Sequence, residues 1–189
     1  MKPLLQKFLL SAATGLLGLQ AAATSLPAEL QPTLPTAVLA GQAKMSFWGF
    51  DVYRASLWVA PGFRAAAYAE HGFALELSYL RNFSGADIAK RSLTEMARQT
   101  ALRADQAQRW GDQKRVLFPD VKAGDRLIGI HRPGQGARFL LNGQPLGEIA
   151  DPEFARLFFG IWLSLQTSEP NLRLALLQQL APAAGATTP

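Results

Sequence analysis

The sequence contains no cysteine and only two histidines, and these scarcities remove most ready-made chemistries. Without cysteine there is no disulfide framework, no thiolate nucleophile and no Cys-ligated zinc or iron–sulfur cluster. A chain of 189 residues with no cross-link must rest on a packed core, and it is long enough to build one. His71 stands beside Gly72 and His131 ahead of "RPGQG", so neither has a neighbour with which to form a catalytic pair. No GxSxG elbow, HExxH pair, Walker loop or GxGxxG turn is present. The carboxylates Asp51, Glu76, Glu95, Glu148 and Glu153 show no spacing that makes an acid–base pair, and "RPGQGARF" joins two strands rather than opening a helix that would cradle phosphate. Neither a metal nor a cofactor is implied.

Long apolar runs are equally scarce after the first twenty residues. The run from Leu157 to Leu165, within "FARLFFGIWLSLQTSEP", is nine residues long and is bracketed by Arg156 and by polar residues. A membrane span needs about 20, so this stretch is expected to be the core helix of a globular domain. Charge is also modest, 19 Lys+Arg against 14 Asp+Glu for a net +5. With no alternation of basic and aromatic residues, nucleic acid is not an expected partner.

What is present begins at the N-terminus. Lys2 and Lys7 precede Phe8, Leu9, Leu10, Leu16, Leu17 and Leu19, and Ala21-Ala22-Ala23 follow. This basic, apolar, small-residue order describes a secretory signal peptide over residues 1–23. With no cysteine for lipoprotein processing, a periplasmic or secreted location follows, with no stable membrane span after cleavage. Residues 24–37, rich in Pro and Thr, read as a tether, and residues 181–189 as a disordered tail. One domain is expected over 38–180.

Within it, strands, helices, strands and helices alternate. Phe47 to Val59 carries apolar or aromatic residues on both alternating faces, the mark of a strand buried on both sides. "FALELSYL" alternates more cleanly, with Phe73, Leu75, Leu77 and Tyr79 on one face. Ser84 and Asp87 begin a helix through Ile88, Leu93, Met96 and Ala97, and a second helix covers "DQAQRWGDQKRVLF". Asn142-Gly143 marks a hairpin. Asp151 caps a helix with Pro152 at its first position, and Ser168 with Pro170 restarts one.

The order "FDVYRASLWV", "LELSYLRNFSGADIAKRSLTEM", "KAGDRL", "NGQPLGEIADPEFARLFFGIWL" and "TSEPNLRLALL" resembles the bacterial chalcone-isomerase-like proteins, over roughly residues 37–180. The resemblance implies an α+β open-faced sandwich, a large antiparallel sheet covered by a layer of helices with a ligand cleft between them. It also implies where the plant enzymes' catalytic groups would fall. Their strand Thr corresponds to Tyr53, their helix Tyr and Asn to Ile88 and Glu95, a later hydroxyl residue to the vicinity of Ile161, and their Arg to that of Gly41. Closing a flavanone ring needs donors on a developing enolate oxygen. Isoleucine donates nothing, and a glutamate opposes the charge.

A non-catalytic ligand binder is therefore the leading expectation. Plastid relatives in the superfamily bind fatty acids through Arg and Tyr, so an apolar or acyl ligand is implied, with Tyr53, Arg54, Arg91 and Glu95 as candidate contacts. Tyr53 and Arg54 are adjacent on a strand and point to opposite faces, so they do not share a cleft unless the strand bulges. Two alternatives stay open, an isomerase or intramolecular lyase with an unidentified substrate, and an envelope structural or partner-binding module. A carrier requires an apolar cavity with a few convergent polar groups. A partner-binding module requires a filled core and an exposed apolar patch.

Overall fold

In the computed structural model, residues 25–180 are described; the expected signal peptide and C-terminal tail lie outside them. Six strands, β1 (Val38–Phe47), β2 (Phe50–Val59), β3 (Phe73–Tyr79), β4 (Arg126–Arg132), β5 (Gly136–Leu141) and β6 (Gln144–Ile149), form one antiparallel sheet in sequence order. Four helices, α1 (Gly85–Ala97), α2 (Ala104–Leu117), α3 (Pro152–Leu163) and α4 (Pro170–Leu176), cover one face of it. The architecture is the expected α+β open-faced sandwich.

Period-two patterning explains the sheet's two faces. β2 and β3 pair Tyr53 with Tyr79, Ala55 with Leu77, Leu57 with Leu75 and Val59 with Phe73, and these pairs form the floor of the main core. The apolar run in question forms α3. Asp151 caps it, its Oδ1 accepting from the backbone N–H of Glu153 and of Phe154 at 3.0 Å each, while its Oδ2 accepts from Trp110 Nε1 at 2.8 Å. Phe154, Leu157, Phe158, Phe159, Trp162 and Leu163 are all buried. Phe158 packs edge-on against Phe139 at 5.3 Å, and Phe159 against Phe73 at 4.9 Å. No helix among the described residues is long and apolar enough to cross a membrane.

Two expectations need correction. The two-sided apolar pattern from Phe47 to Val59 is not one strand, because the chain reverses at Trp48-Gly49 (φ 51° and 79°). Phe47, Trp48 and Phe50 therefore sit at an exposed hairpin tip rather than in a doubly covered core. The Asn142-Gly143 turn has nearly the same geometry, φ 50° and 82°. Asparagine tolerates that backbone, whereas a bulky residue there costs on the order of 1 kcal/mol.

The second correction concerns the tether. Its described part, residues 25–37, crosses the sheet's other face, where Leu30, Leu34 and Ala37 are buried on Trp58, Ala74, Ile128, Ile130 and Leu140. Glu29 pairs with Arg126, which also reaches Glu76 at 3.4 Å. Prolines hide the periodicity here, but Leu26, Leu30 and Leu34 recur every four residues and supply the apolar cover that this face otherwise lacks.

At the sheet's first edge the end of α4 lies directly on β1. A Cβ on Gly41 would stand 2.2 Å from the carbonyl oxygen of Ala175, so only glycine allows that approach. β6, at the other edge, carries Pro145 and a register irregularity beside Phe139.

Lys114 of α2 is fully buried. Its Nζ lies 3.7 Å from Met96 Sδ and 5.8 Å from the Phe154 ring centre, and among the described residues no carboxylate pairs with it. Burial pulls its pKa down to about 7. The unfolded chain, in which the amine titrates near 10.5, holds this proton more tightly, so stability rises as pH increases from about 7 towards 10.5. Lys114→Met is expected to raise the unfolding free energy by roughly 2–4 kcal/mol below pH 7. Urea titrations at pH 6 and pH 9.5 check this, the gain being smaller at the higher pH.

Candidate functional site

Between α3 and the sheet the aromatic packing is dense from Phe154 to Phe159. Towards Trp162 the layers separate, and a cleft of about 340 Å³ opens. Its floor is Met45, Tyr53, Leu77, Tyr79 and Leu127 from β1 to β4. Its roof comes from Phe158, Ile161 and Trp162 of α3, Leu172 of α4, and Ile88, Arg91, Ser92 and Glu95 of α1. The α1 residues recur at positions i, i+3, i+4 and i+7, so one helix face supplies them all.

Two tyrosines carry the polarity of the floor. Trp162 Nε1 donates to Tyr53 Oη at 3.0 Å, which leaves the Tyr53 proton free to be donated into the cleft. The Tyr53 and Tyr79 rings meet edge to face, 6.2 Å between centres. Burial pushes the Tyr53 phenol up to about 12, and burial, with the Tyr53 phenol next to it, pushes Tyr79 higher still. Both hydroxyls therefore remain neutral donors across the physiological range.

Charge is kept off the floor and lies on α1 and beside the start of α4. Arg91 is mostly exposed and holds the buried Glu95 carboxylate at 2.8 Å, while Arg98 approaches the same group at 3.6 Å. Asp87 and Glu169 also border the opening. Ser92 gives its hydroxyl hydrogen to the Ile88 carbonyl at 2.7 Å.

Of the residues singled out in the sequence, Tyr53, Arg91 and Glu95 border this cleft. Arg54 does not. It is exposed on the opposite face of β2, as strand alternation requires. The positions that correspond to plant catalytic groups also converge, with Tyr53, Ile88, Glu95 and Ile161 all lining the cleft. Gly41 instead lies under the end of α4. Sequence reasoning missed Tyr79 and Trp162 as site residues, having placed them in the core. Their polar atoms were the available signal, because a buried phenol or indole N–H seeks a partner.

Tyr53→Phe is expected to cost about 1–2 kcal/mol, since it leaves Trp162 Nε1 buried without its acceptor. Urea denaturation of the single and the Tyr53→Phe/Trp162→Phe variants checks this. The double variant should lose less than the sum of the two single losses.

The profile of the chalcone isomerase-like family matches residues 19–178. No curated protein sequence matches. Among solved structures, a fatty-acid binding protein of Arabidopsis thaliana superimposes with a TM-score of 0.58 at 10% identity, covering 75% of this chain and 87% of that one. At that identity the likeness speaks for the fold. With the meander sheet, the helical cover and the cleft between them all in place, the chain belongs to the chalcone isomerase-like family.

Proposed function

We propose that this protein binds an apolar, acyl-type ligand and performs no chemistry on it. The carrying observation is the cleft itself, a largely apolar space of about 340 Å³ whose floor offers two neutral tyrosine hydroxyls. Its volume lies at the lower end of the range for small-molecule sites. The hydrocarbon part would lie against Met45, Leu77, Leu127 and Leu172, with a carbonyl or carboxyl oxygen accepting from Tyr53 and Tyr79. Ile88 and Ile161 stand where the plant enzymes would place proton-handling groups, and neither can donate or accept a hydrogen bond, which favours holding over catalysis. The structural neighbour named a fatty-acid binding protein supports the same reading.

The rim refines the ligand class. Arg91 is the cation on the cleft wall, and it is already engaged by Glu95. A free carboxylate must compete with Glu95 for that guanidinium, whereas an ester or amide need not. The site thus suits an acyl group with a neutral head at least as well as a fatty acid. Export, inferred from the basic, apolar and small-residue N-terminus, would place this binding outside the cytoplasm, in the periplasm or beyond.

Native mass spectrometry after incubation with oleate and with methyl oleate tests the proposal. A one-to-one adduct with either is the expected result, and absence of both adducts would overturn it. Glu95→Gln frees Arg91 and is expected to tighten oleate binding by about threefold to tenfold, with methyl oleate unchanged. Titration calorimetry of the parent and variant with both ligands measures that difference.

A further inference from the structure

We infer that the β1–β2 hairpin tip is a membrane-docking element that seats the mouth of the cleft on an anionic bilayer surface. Phe47, Trp48 and Phe50 are 52%, 86% and 59% exposed, and together they form an aromatic cap at one end of the sheet. Phe47 and Trp48 lie 6.0 Å apart between ring centres. Singly exposed apolar residues are common, but three aromatics on one tip are not readily explained by folding.

The turn strengthens the inference. The protein builds the same two-residue turn twice. At β5–β6 it uses Asn142-Gly143, and Asn142 also accepts from Arg126 N and donates to Asp125. At β1–β2 the corresponding residue is Trp48, at φ 51°, with its ring in solvent. Tryptophan gives nothing to that turn that asparagine would not give better. Its amphipathic ring does suit the headgroup boundary of a bilayer.

Charge around the tip points to the sign of the surface. Arg81 lies over the Phe50 ring at 4.8 Å from its centre, and Arg54 is exposed further along β2. Among the described residues neither pairs with a carboxylate, while Lys44 and Asp51 satisfy each other at 2.8 Å. Arg54 and Arg81 thus leave the hairpin tip itself with two cations that no carboxylate neutralises among the described residues, which complements anionic lipid headgroups, while Asp87 and Glu169 stand at the cleft opening on α1 and just ahead of α4. The tip is also continuous with the cleft, because Met45, Phe47 and Val52 belong to its wall. An apolar molecule leaving the bilayer beside Phe47 would enter the cleft without crossing water. The docking step itself does not depend on which ligand the cleft holds.

The test uses the protein and vesicles of one part phosphatidylglycerol to three parts phosphatidylcholine, read by co-sedimentation and by tryptophan emission. Trp58, Trp110 and Trp162 are buried, so a blue shift on vesicle addition reports Trp48. Trp48→Asn installs the residue used by the other hairpin and is expected to fold with an unchanged or higher melting temperature. Together with Phe50→Ser it should weaken vesicle binding by about tenfold or more and abolish the blue shift. Arg81→Glu should weaken binding to the anionic vesicles and leave binding to pure phosphatidylcholine unchanged. Residues 1–24 contain no tryptophan, so the emission shift of the parent reports the tip whatever that segment binds, and co-sedimentation is compared on protein from which residues 1–23 have been removed. Equal binding by parent and double variant, or none by the parent, overturns the inference. So does a parent dimer that the double variant loses while vesicle binding persists, which would assign the tip to self-association.

Discussion

The aromatic side chains that α3 lowers onto the sheet set the spacing between the two layers, and both the stability of the domain and the shape of its cleft follow from that spacing. Where Phe154, Phe158 and Phe159 interlock with Phe73, Phe118 and Phe139, the layers touch and exclude everything else. Where the contact passes to Trp162 and Tyr53 through one hydrogen bond, space remains. One helix therefore closes the core at one end and roofs the ligand space at the other. Asp151 makes this possible by fixing the start of α3 and anchoring it to Trp110 in the same carboxylate.

Around that interface the molecule tolerates departures from the rules of a well-packed core. Lys114 brings a charge-bearing group into the helical layer with only a thioether and an aromatic ring for company. Trp48 occupies a backbone conformation better suited to asparagine. The Lys114 environment is explained by neither the core nor the cleft. Trp48 is explained by what the tip touches outside the molecule.

The elements with clear periodicity were legible in the sequence. β3 declared its buried face through Phe73, Leu75, Leu77 and Tyr79, and α3 declared its cap and first turn through Asp151-Pro152. The tip was misread because Phe47 and Phe50 continue an apolar alternation across the turn, and alternation alone does not say whether a strand has stopped. The described part of the tether was misread because Pro and Thr mask three leucines spaced four apart. For the site, Tyr53, Arg91 and Glu95 were reachable from the resemblance and from strand and helix periods. Tyr79 and Trp162 were not, since a residue that is both core and cleft wall has the same pattern as one that is only core. Where a cleft opens depends on how far apart two layers come to rest, and that is a property of the assembled molecule.

The segment that covers the back of the sheet precedes every strand it covers. Leu30 and Leu34 leave the ribosome before any of the six strands, yet they share a cluster with Ile128, Ile130 and Leu140, about a hundred residues later in a chain made from its N-terminus. The β1–β2, β4–β5 and β5–β6 hairpins can zip together as each emerges, because their contacts are local, whereas β3 and β4 pair across α1 and α2. This earlier-made stretch must wait for β4 and β5, a long loop closure that is entropically slow. Synthesis order and docking order are thus inverted at this one place, and a chain that is complete except for this dock would expose the Trp58, Ile128 and Ile130 side of its sheet to its surroundings.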